Sequence, residues 1–167
     1  MQCKNFDFAV IGGDLRQVYL AARLVAQGFR VCGYALCSAE QHPNVLTAAS
    51  LDEAVAHSKT ILAPIPISKD KQEINHQSNV SDLSMSHLLE TLHKNHRLFA
   101  GCIPDDFQAA AAAKGVQTCD LMKSKELAIF NTIATAEGAL AEAICKSRRN
   151  LHHSRCIVLG FGKCART

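Results

Sequence analysis

The sequence predicts an α/β protein, a mostly parallel sheet with helices on both faces. Three observations predict it. Short apolar runs alternate with amphipathic stretches along the 167 residues, glycine or proline closes most of the apolar runs, and a glycine-rich turn follows an apolar strand near each end of the chain. Serial alternation of this kind puts a crossover helix between successive parallel strands and so covers both faces of the sheet.

The elements follow in order. A first strand is expected over 6–11, stopped by Gly12-Gly13. Asp14 is placed to cap a helix over 15–27, whose apolar face is Leu15, Val18, Tyr19, Ala22 and Val25, and Gly28 ends it. Strands are expected at 30–36 and 45–48, then a short helix at 51–57 with Ser50 as its cap. A strand at 60–63 stops at Pro64 and Pro66, because proline cannot donate to the ladder. Residues 68–84 are polar and aperiodic, the pattern of a functional lid or a disordered loop. A helix at 85–95, a strand at 98–102, a helix at 105–114 with Pro104 at its first turn, and a strand at 116–119 complete the series. The longest helix is expected over 123–149, with a break near the β-branched Thr132, Ile133 and Thr135. A last strand is expected at 155–159.

Composition bounds the function. With 48% hydrophobic and 20% charged residues, the chain has the balance of a soluble globular protein. A formal charge of +3 is too small to argue for nucleic acid, and the basic Lys146, Arg148 and Arg149 complement a helix C-terminus. The sequence shows no apolar run near the ~20 residues that cross a bilayer and no signal pattern, since Asp7 interrupts it; a cytoplasmic protein with no membrane partner is expected. The eight cysteines include no CxxC, and several fall in apolar segments, which suits a reduced protein with free thiols. His93, His96, His152 and His153 lack acidic or cysteine partners at ligand spacing, so surface histidines and no metal are expected.

Two turns carry the chemistry. Gly160-Phe161-Gly162-Lys163-Cys164-Ala165 after the run 156–159 fits G-x-G-x-x-A, the dinucleotide-binding βα turn. There the first glycine makes the turn, the second admits the pyrophosphate and the small third residue lets helix pack on strand. The alternative is an ordinary strand-to-helix turn, and NADP and NAD are not distinguished. A strand with half a turn cannot make a mononucleotide-binding unit, so residues 151–167 are expected to begin a second, truncated domain after a first one spanning 1–150. The earlier turn, Gly12-Gly13-Asp14-Leu15-Arg16-Gln17, lies where open α/β sheets bind ligands but lacks the third glycine. Arg16 offers a bidentate fork for a carboxylate, and a cation in a first helical turn, disfavoured by the helix dipole, points to an anionic partner.

Several segments together resemble one family. Ile11-Gly-Gly-Asp14-Leu-Arg16-Gln17, Pro64-Ile-Pro66 with the later Ile74-Asn75, and Asn131-Thr-Ile-Ala-Thr135-Ala-Glu137-Gly138 are similar to motifs of the dipicolinate synthase A-subunit family, with Leu159-Gly-Phe-Gly162 at the matching distance. The family has proline at the position of Ala134, arginine at that of Lys163 and glycine at that of Ala165. The resemblance implies a flavodoxin-like substrate domain followed by a Rossmann-type NADP (or NAD) domain, joined by the long helix. It implies oxidation of a dihydrodipicolinate-type precursor to dipicolinate in the mother cell of a sporulating bacterium. The flavoprotein-like B-subunit of dipicolinate synthase is the implied partner, the substrate is a small dicarboxylate, and a homo-oligomer is compatible with it.

On that resemblance Arg16 holds one carboxylate, assisted by Gln17, Asp14 and the backbone N–H groups near Gly13. Asn131, Thr132 and Thr135 face the other, Glu137 is the candidate general base if burial tunes it, and Gly160, Phe161, Gly162 and Lys163 hold the cofactor. Three alternatives stay open: another nicotinamide dehydrogenase of the alanine or 2-hydroxyacid type, a non-catalytic flavodoxin-like or response-regulator module, and an assembly domain.

Overall fold

The structure is a computed structural model that describes residues 5–37 and 42–167; Cys3 lies outside them. Six strands form one parallel sheet: β1 (Phe8–Ile11), β2 (Val31–Tyr34), β3 (Leu46–Thr47), β4 (Thr60–Leu62), β5 (Arg97–Ala100) and β6 (Gln117–Asp120), in the order β3-β2-β1-β4-β5-β6. This is the doubly wound order of a Rossmann-like sheet, with its reversal between β1 and β4.

Five α-helices are described: α1 (Leu15–Ala26), α2 (Leu51–Ala56), α3 (Met85–Thr91), α4 (Asp105–Ala113) and α5 (Lys125–Lys146). Helix α1 covers one face of the sheet, where Val18 and Ala21 pack with Val10, Val31, Leu36 and Val45. Helices α2, α3 and α4 supply the other layer, in which Ile11, Ile61 and Leu98 meet Leu51, Leu88 and Ala111. The caps form as the sequence requires. Asp14 caps α1, and the Ser50 hydroxyl accepts the Glu53 N–H at 3.1 Å while Glu53 accepts the Ala49 N–H at 2.6 Å.

Several expectations change. The buried residues of α1 are Gln17, Val18 and Ala21, whereas Leu15 and Tyr19 are exposed. The small Ala21 and not the larger Tyr19 meets the strands, which rotates the inner stripe and brings Gln17 inward. Of the described cysteines, all free, only Cys32 is buried, and burial pushes its thiol up to about 11; Cys102, Cys119, Cys145, Cys156 and Cys164 are exposed. His96 is buried rather than on the surface.

The polar segment 68–84 is neither a lid nor disordered. It is a strap pinned across the C-terminal edge of the sheet. Ile67, Ile74 and Leu83 are buried in the core. Ile74 N–H donates to Leu83 O at 2.9 Å, Asn75 N–H to Ile67 O at 2.8 Å and the Ser78 hydroxyl to Ala35 O at 2.9 Å. The Tyr34 hydroxyl donates to Asp82, which also accepts the Leu51 N–H at 2.9 Å. Burial would raise the Asp82 carboxyl, but these two donors outweigh it and hold it low; burial and the neighbouring carboxylate push the Tyr34 hydroxyl up.

The chain divides into two compact units: Met1–Leu121 holds the sheet and α1–α4, and Met122–Thr167 holds α5 and the 3-10 turn Cys164–Arg166. The long helix goes with the second unit because it packs on that turn, Thr132 meeting Thr167 hydroxyl to hydroxyl at 2.8 Å. No break occurs at Thr132–Thr135, since the two threonine hydroxyls donate to Ile129 O and Asn131 O within the helix. Helix α5 is also, by length and composition alone, apolar enough to cross a membrane, a run missed in the sequence; Glu137 near its middle would be costly at a bilayer centre. The strand expected at 155–159 is absent. Ile157, Val158 and Leu159 are exposed, and without a described neighbour to pair with, the run has no ladder to join.

His96 gives the fold a pH dependence. Its Nδ1 accepts the His93 N–H at 3.1 Å, and burial first, then the charge of His93, lowers it from 6.5 to about 4. Protonation is penalised only in the folded state, so its contribution is full above pH 6.5 and is lost as pH falls toward about 4. Urea titrations should show a loss of roughly 3 kcal/mol across that window, and His96→Gln should flatten it.

Candidate functional site

In a doubly wound sheet the ligand crevice opens outside the C-terminal ends of the strands where the order reverses. Here that place lies between β1 and β4. Strand β1 runs into Gly12 and Gly13, at φ of 59° and 81°, and β4 runs into Ala63-Pro64-Ile65-Pro66, with a cis Ile65–Pro66 bond. Arg16 bridges the two sides: its Nη2 donates to Ile65 O at 3.0 Å.

The turn of α1 that carries Arg16 is built by Asp14. Its carboxylate accepts the Arg16 N–H at 3.0 Å and also takes the guanidinium, Nε at 2.9 Å and Nη2 at 2.8 Å. The side-chain hydrogen bond from Arg16 is the main reason that the Asp14 carboxyl is held low, and it raises Arg16 in return. The bidentate fork expected to face a substrate is therefore engaged within the chain. Nη1 makes no hydrogen bond to a described residue, and the half-exposed guanidinium presents that nitrogen as its open donor.

The glycines serve the strap. Gly12 N–H donates to Tyr34 O at 2.9 Å and Gly13 N–H to Asn75 O at 2.7 Å. A Cβ on Gly12 would stand 2.8 Å from the Asn75 carbonyl oxygen, and one on Gly13 would stand 2.6 Å from Gln17 Cγ. The N–H groups near Gly13, expected to assist a carboxylate, are thus bonded to backbone. Nor does this turn fit a nicotinamide dinucleotide: a pyrophosphate needs open N–H groups at the place that Asn75 occupies.

Beside Arg16 lies a cavity of about 180 Å³ with a mostly apolar wall, formed by Leu20, Leu62, Ile65, Phe99 and Leu121. Gln17 lines it too. Its side chain is 7% exposed, and its amide makes no hydrogen bond to any described residue. The sequence marked Asp14, Arg16 and Gln17. It marked Ile65 and Asn75 only as parts of the motifs Pro64-Ile-Pro66 and Ile74-Asn75, with no role, and did not mark Tyr34–Asp82; these roles come from backbone carbonyls and from contacts distant in sequence.

Comparison with known proteins bears on this unit. The family model for the N-terminal domain of the dipicolinate synthase A-subunit matches residues 7–122. The chain belongs to this family. Two solved A-subunit structures have the same fold. That of dipicolinate synthase from Bacillus subtilis is 21% identical with a TM-score of 0.72, over 97% of this chain and 55% of that one. That from Bacillus halodurans is 22% identical with a TM-score of 0.76, over 96% and 56%. This chain therefore spans little more than half their length. An imine reductase from Myxococcus stipitatus, solved with NAD+, matches at 15% identity and a TM-score of 0.51, over 70% of this chain and 40% of that one. No curated protein matches the sequence.

The family match ends beside the unit boundary, and the remaining expected residues lie beyond it. On α5, Asn131 is exposed and donates to Met122 Sδ at 3.6 Å, while the hydroxyls of Thr132 and Thr135 bond back into the helix. Glu137 is exposed. Gly160, Phe161, Gly162 and Lys163 are exposed, and the Phe161 ring lies 5.5 Å from the Arg166 guanidinium carbon.

Gly12→Ala should cost more stability than an ordinary surface change, about 1–3 kcal/mol, because it adds both a left-handed alanine and a clash with Asn75 O. Urea denaturation checks this, and equal stability would remove Gly12 from the strap's seat.

Proposed function

We propose that this chain provides the substrate-side domain of a dipicolinate synthase A-subunit, part of an enzyme that oxidises a dihydrodipicolinate-type precursor to dipicolinate with NADP or NAD. The observation that carries the proposal is Arg16, held by Asp14 and Ile65 O across the β1/β4 reversal with Nη1 open. It stands within the residues that match the family.

The substrate is a small dicarboxylate, and the task of this domain is to fix its orientation. Nη1 of Arg16 donates to one carboxylate. Asp14 does not bind substrate; it offsets part of the guanidinium charge and fixes its plane, so binding is directional rather than tight. Asn131 and Glu137 on α5 remain candidates for the second carboxylate and for the proton, both exposed and so accessible. The nicotinamide is assigned to a second domain built around Gly160–Lys163, with no part of it placed on the sheet of the first. A flavoprotein-like B-subunit in the cytoplasm of a sporulating mother cell completes the proposal.

The test is ultraviolet detection of dipicolinate, with the complete A-subunit and the B-subunit supplied with dihydrodipicolinate and NADP or NAD. Product should form only with cofactor present. Arg16→Ala should lower kcat/KM by at least about tenfold, chiefly through KM, and Arg16→Lys should recover little because lysine lacks the planar fork. A folded, cofactor-binding complex that makes no dipicolinate would contradict the proposal.

A further inference from the structure

Unmet polar groups gather at the edge of the sheet opposite Arg16. Residues 5–7, 57–59 and 95–96 lead into β1, β4 and β5, and between them lies a cavity of about 410 Å³. Backbone hydrogen bonds fix its frame. Phe6 N–H donates to His57 O at 2.8 Å, Asp7 N–H to Arg30 O at 2.9 Å and Arg97 N–H to Lys59 O at 2.8 Å. Ser58 stands in this wall, 3% exposed, and among the described residues its hydroxyl is the buried side-chain group that has no hydrogen-bond partner. Burying a hydroxyl without a partner is unfavourable, and buried polar groups normally find one. The Lys59 side chain beside it is exposed and makes no ion pair or hydrogen bond with a described residue.

The rest of the lining sets the sign of a ligand. Asp7 supplies the cavity's carboxylate, and it is already taken: it accepts the Arg30 N–H at 2.8 Å and lies 3.4 Å from Arg30 Nη2. The hydrogen bonds from Arg30 hold the Asp7 carboxyl low, so it stays charged and paired. His96 is closed as well. Its Nδ1 accepts the His93 N–H at 3.1 Å, and its other ring nitrogen donates to the Val55 carbonyl. The Ser58 hydroxyl and the Lys59 ammonium remain as open donors, with the side-chain amides of Asn5 and Asn95 at the rim. A cation would meet Lys59 and no free carboxylate. An apolar ligand would leave Ser58 unmet. An oxyanion satisfies both donors, and charge-assisted hydrogen bonds of this kind are the strong ones.

We propose that this cavity binds a phosphate group, with the Ser58 hydroxyl and the Lys59 ammonium donating to its oxygens. The cavity is several times larger than a phosphate, and beyond the two donors it offers flat ground: Phe6, and the His93 ring stacked on His96 at 3.8 Å between centroids. The body of a phosphomonoester fits there. The site shares no residue with the cavity beside Arg16, yet it joins the N-terminal ends of β1 and β4, the two strands whose C-terminal ends flank Arg16. It therefore goes beyond the proposed function and does not depend on it.

The probes are inorganic phosphate, adenosine 5′-monophosphate and adenosine, titrated into the full chain at constant ionic strength. Amide resonances locate binding and calorimetry gives affinity. Phosphate and the monophosphate should both shift the Ser58, Lys59 and His93 amides. Adenosine should bind at least about tenfold more weakly than its monophosphate, the worth of one charge-assisted hydrogen bond. A monophosphate that outbinds phosphate identifies an ester as the ligand, and equal affinities identify the free anion. Ser58→Ala should leave the ligand-free chain at least as stable in urea, because it removes an unmet hydroxyl, and should weaken both anions about tenfold. Lys59→Gln should weaken both and flatten the dependence of binding on salt. Absence of binding by phosphate and the monophosphate, equal binding of adenosine and its monophosphate, shifts confined to Gly13 and Arg16, or wild-type affinity in Ser58→Ala would each overturn the proposal. The resonances of the unaltered chain decide even if a variant fails to fold.

Discussion

The carbonyl of Asn75 accepts the Gly13 N–H at 2.7 Å and passes so close to Gly12 that no side chain fits beneath it. Much of the candidate site depends on this crossing. It anchors the strap 68–84 at the end of β1 and closes the part of the sheet edge that a dinucleotide would otherwise enter. It also sets where α1 begins, one residue after Asp14, and hence where Arg16 and Gln17 point. Two glycines in sequence are required because both adopt left-handed backbone, which other residues take up only with strain.

Around that crossing the electrostatics are arranged to orient rather than to attract. Arg16 is a cation in the first turn of a helix, where the dipole disfavours it, and Asp14 answers both the orphan N–H groups of that turn and the guanidinium. A half-exposed ion pair contributes little stability on its own, about 0–1 kcal/mol. Its value is geometric, since it fixes the guanidinium and leaves Nη1 without a partner among the described residues. Gln17 lines the cavity beside it with a neutral amide.

Much of this was legible in the sequence, for physical reasons that can be named. Short apolar runs located the central strands β1, β2, β4 and β5, which lie between two helical layers and are largely buried, while β3 and β6 at the sheet edges are exposed or half-buried. Ser50 and Asp14 announced their helices through capping chemistry. The strap was not legible. Its core residues Ile74 and Leu83 follow no helical or strand period, and its anchors are carbonyls and one Tyr34–Asp82 contact far apart in sequence. The apolar run 155–159 misled for the opposite reason: composition marks a strand, but a ladder needs a partner, and no described strand supplies one. Glu137 was marked by its place in the family-like motif 131–138, and it lies exposed on α5.

The account's central claim is that the first glycine turn seats a strap and does not cradle phosphate. Amide hydrogen exchange at Gly12 and Gly13 in the full chain, with and without NADP or NAD, tests it most directly. Both amides should exchange as slowly as those of β1 and should be unchanged by either cofactor, because each N–H is already bonded to a backbone carbonyl. Rapid exchange at Gly13 that slows when a cofactor is added would contradict the claim and return this turn to dinucleotide binding.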